Sequence, residues 1–135
     1  MKSKIILVVN GEPNSIFSEI FVKSLDKIKV KTPLIYIYSR KLLNLQMKKL
    51  KFEKNIKTIN PYKLDEYKLN NKSINLIDID YKQSKPFVKI SSKSNKFIKS
   101  SFDIAFKIIK KEKITRFING PISKKYFLEK KHLGM

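Results

Sequence analysis

Lys4-Ile5-Ile6-Leu7-Val8-Val9-Asn10-Gly11-Glu12-Pro13 reads as one strand and the turn that ends it. The run from Ile5 to Val9 is apolar without alternation, as in a strand buried on both faces of a sheet. Gly11 permits backbone angles closed to other residues, and Pro13 cannot continue a ladder. Beyond the turn, Asn14 or Ser15 can cap a helix, and Glu19 sits near its positive end. Phe17, Ile20, Phe21, Leu25 and Ile28 then recur at helical spacing. A buried strand leading straight into an amphipathic helix is the first half of a parallel β–α–β unit.

The alternation continues downstream. Leu34–Tyr38 is rich in strand formers, and Lys41–Leu50 has Leu43, Met47 and Leu50 on one helical side. Asn55–Ile59 and Ser73–Ile79 read as short strands, separated by a less decided stretch in which Asn60-Pro61 is a break. Residues 81–92 are polar, contain Pro86 and read as a loop. Lys93–Lys113 carries the clearest helical stripe, Ile98, Phe102, Ala105 and Ile109, widened by Ile104 and Ile108. Asp103 and Lys107 are spaced to pair on its wet side. Ile114–Ile118 is then a strand, Asn119-Gly120-Pro121 a turn, and Ser123–Lys130 a last helix that Gly134 can stop. The expected fold class is therefore α/β: a mainly parallel sheet with flanking helices, in a single unit over residues 1–135.

Composition removes several kinds of chemistry. There is no Cys, one His and three Gly, Gly11, Gly120 and Gly134. Thiolate nucleophiles, Cys-based metal sites, disulfides and two-His sites are excluded, and neither the dinucleotide fingerprint nor the Walker loop occurs. The early apolar run is too short for a signal-peptide core or a membrane span, so the expectation is a soluble, cytoplasmic chain with no membrane partner. The net charge is +20, which invites a nucleic-acid reading. Against it, the basic residues are almost all Lys, with only Arg40 and Arg116, and they are spread along both halves. The 20 Ile and 10 Asn beside a single Ala point to compositional drift carried on solvated faces.

Ligands of open α/β sheets gather beyond the carboxyl ends of strands. Two such ends carry unusual residues here: Asn10-Gly11-Glu12-Pro13, and Asn119-Gly120-Pro121-Ile122-Ser123-Lys124. Each leads into a helix start, where free N–H groups favour an anion. Glu12 can orient a substrate amine or hydroxyl, or be a solvated turn carboxylate. Lys124 opposes the helix dipole unless an anion sits nearby; otherwise it is one solvated Lys of many. Asn119 and Ser123 can bond such an anion, or serve as ordinary turn and cap residues. Asp78 and Asp80 could share a divalent metal, but fit the wet end of a strand better. His132 stands alone and reads as exposed.

Taken together, the two strand-end segments resemble the 4-hydroxythreonine-4-phosphate dehydrogenase family of vitamin B6 synthesis. The family's first strand is followed by a pattern like G-[DE]-P-A-G-I-G-P-E-I. Gly11, Glu12, Pro13, Ile16, Glu19 and Ile20 match it, while Asn14, Ser15, Phe17 and Ser18 depart. Its second marker is like T-[AG]-P-[IV]-[NHS]-K. Gly120, Pro121, Ile122, Ser123 and Lys124 match it, with Asn119 in place of Thr. The resemblance implies a partial isocitrate/isopropylmalate dehydrogenase-like fold, forming the N-terminal part of a longer two-subdomain enzyme that is a homodimer. It implies oxidation of 4-phosphooxy-threonine, a small phosphorylated substrate, with NAD or NADP and a divalent metal. The family's three metal-binding His lie in segments beyond this sequence, and Gly134-Met135 stands where the family has Gly-His. So no catalytic or metal residue is expected in this chain, neither cofactor is expected to bind it tightly alone, and Glu12, Asn119, Ser123 and Lys124 are its substrate- or cofactor-proximal residues. A nucleic-acid-binding module and a small self-contained α/β ligand-binding domain are the alternatives.

Overall fold

The computed structural model describes residues 4–27 and 31–125. Five strands, β1 (Ile6–Val9), β2 (Leu34–Tyr38), β3 (Ile56–Thr58), β4 (Ile74–Asp78) and β5 (Arg116–Asn119), form one sheet in the order β3-β4-β2-β1-β5. Every pairing is parallel. The helices are α1 (Phe17–Leu25), α2 (Arg40–Lys49) and α3 (Asn95–Glu112). The expected α/β class and its order of elements hold. Ile28, His132, Gly134 and the expected last helix beyond Lys125 lie outside the described residues.

Alternation along the central strands sorts the core into two layers. Val8, Tyr36, Tyr38, Ile74 and Leu76 pack against α1 and α2 on one side of the sheet. Leu7, Val9, Ile35, Ile37 and Ile77 pack on the other, with Ala105 and Ile108 of α3. Both faces are thus covered, which is why β1 and β2 read as unbroken apolar runs. The first turn of α3 also reaches the rim of the first layer, where Phe97 meets Tyr38 edge-on at 6.0 Å.

Helix starts are set by local bonds. The Ser15 hydroxyl accepts the Phe17 N–H at 3.2 Å and donates to the Glu12 carbonyl at 2.9 Å. Neither expected residue is the cap, which falls on Ile16 with no side-chain bond; Ser15 supports the start from one position earlier, while Asn14 turns towards another loop. The Ser39 hydroxyl accepts the Leu42 N–H at 3.2 Å, and Asp78 accepts the Arg40 N–H at 2.8 Å, so both hold the start of α2. A short 3₁₀ turn, Ser92–Ser94, precedes α3, so the helix proper begins two residues later than its stripe suggested. Asp103 pairs with Lys99 at 2.8 Å, one turn before it, and not with Lys107; both lysines lie within reach on the helix surface, although the acid-first order is the better one. β5 likewise begins at Arg116, because Ile114 is spent on the loop bond that closes α3.

Candidate functional site

The parallel register places Val9 opposite Asn119, so β1 and β5 end at the same level. Their turns then meet. The Gly120 N–H donates to the Val9 carbonyl at 2.8 Å, and the Glu12 N–H donates to the Pro121 carbonyl at 2.8 Å. Gly11 has φ +79°, and a Cβ there would stand 2.6 Å from the Pro121 carbonyl oxygen. A Cβ on Gly120 would collide with the Asn10 carbonyl and come within 2.7 Å of the Phe17 ring. Both glycines are therefore required by the approach of one backbone to the other.

Glu12 is not a solvated turn carboxylate: it is 2% exposed. One oxygen accepts the Ser94 hydroxyl at 2.7 Å and the other accepts the Asn14 N–H at 2.9 Å. A buried carboxylate of this kind stands only because donors converge on it. Its position joins the β1 turn to the entry of α3, across 82 residues of sequence.

More polar side chains lie beneath the rim. Tyr36 donates to the Asn10 side-chain oxygen, and Asn10 Nδ2 donates to the Glu12 carbonyl at 3.0 Å. The Tyr38 hydroxyl lies 2.8 Å from the Pro13 carbonyl and 2.7 Å from Gln46 Oε1. Burial pushes both phenols well above the ordinary tyrosine range; Tyr38 adds to the shift of Tyr36, and Glu12 to that of Tyr38. Tyr81, half-buried near the same carboxylate, is raised by burial first and then by Glu12. All three are neutral hydrogen-bond donors at physiological pH.

The long 79–94 connection leaves β4 at the same end of the sheet and is fastened to the first turn. Asn14 and Gln83 exchange two side-chain bonds, of 3.1 and 2.8 Å, and the Val88 N–H donates to Asn14 Oδ1 at 3.0 Å. Gln46, fully buried, donates to the Pro13 carbonyl at 3.0 Å and the Pro86 carbonyl at 2.8 Å. Ser94 and Gln46 were absent from the sequence reading. Gln46 had a signal, a polar residue inside the apolar stripe of α2; Ser94 and the Asn14–Gln83 pair had none.

Glu12 and Asn119 thus stand on the two joined turns, and Ser123 and Lys124 follow the second one directly. Asn119 is exposed and donates to the Gly120 carbonyl at 3.0 Å; Lys124 is exposed and Ser123 half-buried. Asp78 and Asp80 are both exposed, and Asp78 is engaged with α2. Among the described residues, no three His, Cys, Asp or Glu side chains gather as a metal would require. The described residues therefore do not fit a metal. Among the described residues, no helix is long and apolar enough to cross a membrane.

No protein-family profile matches the sequence, and no curated protein matches it. Solved structures do match the fold. A 4-hydroxythreonine-4-phosphate dehydrogenase from Burkholderia phymatum aligns over 90% of this chain and 37% of its own, with TM-score 0.76 and 20% identity. A putative 4-hydroxythreonine-4-phosphate dehydrogenase from Salmonella typhimurium aligns over 90% and 39%, with TM-score 0.74 and 19% identity. The enzyme of that name from Klebsiella pneumoniae aligns over 98% and 39%, with TM-score 0.74 and 20% identity. The chain therefore has the fold of the N-terminal portion of these proteins and spans less than two-fifths of their length.

Proposed function

We propose that this chain is the N-terminal portion of a metal- and NAD(P)-dependent dehydrogenase that oxidises 4-phosphooxy-threonine in vitamin B6 biosynthesis, and that it is inactive without further polypeptide. The observation that carries the reading is the junction of the two turns. The segments whose residues resemble the family markers lie side by side, bonded through Glu12 and Pro121.

In this reading the joined turns form one wall of the substrate site. Lys124, Ser123 and the N–H groups around Ile122 face the phosphate or the cofactor, and Asn119 bonds the substrate. Glu12 is a positioning residue: both of its oxygens are engaged inside the fold, so it acts by holding Asn14 and Ser94 in place. The metal and NAD(P), supplying Lewis acid and hydride acceptor, are held by polypeptide beyond this chain. The complete enzyme is a cytoplasmic homodimer.

An open flank supports the need for that polypeptide. Among the described residues nothing pairs with the outer side of β5, and Ile118 on it is 49% exposed. Ile118 lines an apolar cavity of about 220 Å³ with Ile6, Val8, Phe17, Ile20 and Leu25. A flank of this kind suits burial by further chain better than contact with water.

The test is to mix the purified 135-residue chain with 4-phosphooxy-threonine, NAD or NADP and a divalent metal, and to follow reduced nicotinamide by absorbance. No turnover is expected. Turnover at ordinary enzyme rates overturns the reading.

A further inference from the structure

The chain leaves β5 towards one particular face of the sheet. Gly120 lies so close to the start of α1 that a Cβ there would come within 2.7 Å of the Phe17 ring. Ile122, two residues on, packs on the layer held by α1 and α2. Lys125 is the last described residue, so the segment 126–135 sets out from the carboxyl rim on the α1 side.

On that same side, nothing among the described residues covers β5. Ile118 stands opposite Val8 in the parallel register, so both side chains project towards the face that carries α1. Ile118 is 49% exposed, and Ile20, across from it on α1, is 50% exposed. Between them lies the apolar cavity of about 220 Å³, which runs beside α1 from Phe17 to Leu25. The polar groups at its wall are already engaged. The Ser24 hydroxyl donates to the Ile20 carbonyl at 2.6 Å. Asn71 accepts the Leu34 N–H at 2.9 Å and donates to the Thr32 carbonyl at 2.8 Å. The hollow therefore suits apolar side chains and offers a polar ligand little.

We propose that residues 126–135 of this same chain dock lengthwise in the hollow, with Tyr126, Phe127 and Leu128 filling it from the rim. The sequence supplies these three large apolar side chains in a row, directly after the turn that aims at the hollow. The reach also matches. Ten residues coiled as a helix cover about 15 Å, and the four residues of β5 extend over about 13 Å. The segment can thus follow the strand from its end back to its start. Charge favours this occupant over a second copy. Each copy carries +20, so two copies meeting here would repel, whereas a tethered segment is held beside the hollow at high effective concentration. The inference does not draw on the dehydrogenase reading. It leaves the outer edge of β5, and Phe106 on α3 at 55% exposure, for other polypeptide to cover.

The experiment is NOE spectroscopy on the full 135-residue chain, with sedimentation of the same sample. Cross-peaks from the Tyr126 and Phe127 rings to the Ile20 and Ile118 methyls, in a monomer, are expected. Phe127→Ser with Leu128→Ser should remove them, shift those methyls and favour unfolding in urea about tenfold or more. Lys130→Ser with Lys131→Ser should leave both readings unchanged. Where the first pair prevents folding, the cross-peaks of the unaltered chain decide. Their absence, cross-peaks that arise only between copies in a dimer, or equal effects of the two pairs would each overturn the proposal.

Discussion

The backbone N–H of Glu12 lies 2.8 Å from the carbonyl oxygen of Pro121, tying the turn after the first strand to the turn after the last. The two residues are far apart in sequence, and only the parallel pairing of β1 with β5 brings them together. Everything else at the rim is arranged around that contact: glycines where the backbones meet, a buried carboxylate beside them, and a loop pinned over the top.

Gly120→Ala tests the closeness of the turns. Its Cβ would strike the Asn10 carbonyl and the Phe17 ring, and the backbone on one side cannot give way without breaking the β1–β5 ladder. A loss of about 3 kcal/mol or more is expected in urea unfolding. Gly11→Ala should cost a comparable amount through its positive φ and the Pro121 carbonyl. A loss under about 1 kcal/mol for both would show that the turns do not touch as described.

Glu12 and Ser94 should be coupled. Glu12→Ala leaves the half-buried Asn14 N–H without its acceptor and the buried Ser94 hydroxyl with only its longer bond to the Ser91 carbonyl, and is expected to cost about 1–3 kcal/mol. Ser94→Ala should cost less, and the double variant less than the sum, with a coupling of about 1 kcal/mol in a double-mutant cycle. Additive losses would mean that the two side chains stand apart in solution.

Gln46→Leu removes the donor shared between Pro13 and Pro86 while keeping most of the volume. Amide hydrogen exchange should accelerate across the 81–93 loop, with a stability loss of about 1–2 kcal/mol. Unchanged protection of the loop would show that Gln46 does not hold it.

Much of this molecule was legible in the sequence, and for a physical reason. β1 and β2 lie in the interior of the sheet and are covered on both faces, so their apolar runs are continuous; α3 is covered on one side only, so its stripe is regular. The two turns stood out as strand ends with unusual residues, but no local pattern announced that their backbones touch at Gly11 and Gly120. What the sequence hid was polar and long-range. Glu12 in a turn looks solvated until Ser94 arrives from 82 residues away, and no local pattern announces such a partner. The pairing of Asp103 was not legible either, since Lys99 and Lys107 both lie one turn away and the small preference for Lys107 did not decide it.

Tyr36 and Tyr38 provide a pH signature. Both are fully buried and hold their protons above the ordinary range. In the unfolded chain they ionise near pH 10, so the unfolded state releases protons that the folded state keeps. Their contribution is complete below that pH and is lost as pH rises beyond it, so stability should fall steadily above about pH 10. In an alkaline titration, the tyrosinate absorbance of these two residues should appear together with loss of structure. Its appearance at pH 10 in a folded chain would contradict their burial.

The central claim is that the two joined turns form one wall of a site for a phosphorylated substrate. Titrating the 135-residue chain with 4-phosphooxy-threonine, and reading the amide shifts of both turns at once, tests it most directly. The account predicts that residues 10–14 and 119–125 shift together with a single affinity, and that Lys124→Ala weakens this binding several-fold. Shifts at one turn without the other, or full affinity in the Lys124→Ala chain, would contradict it.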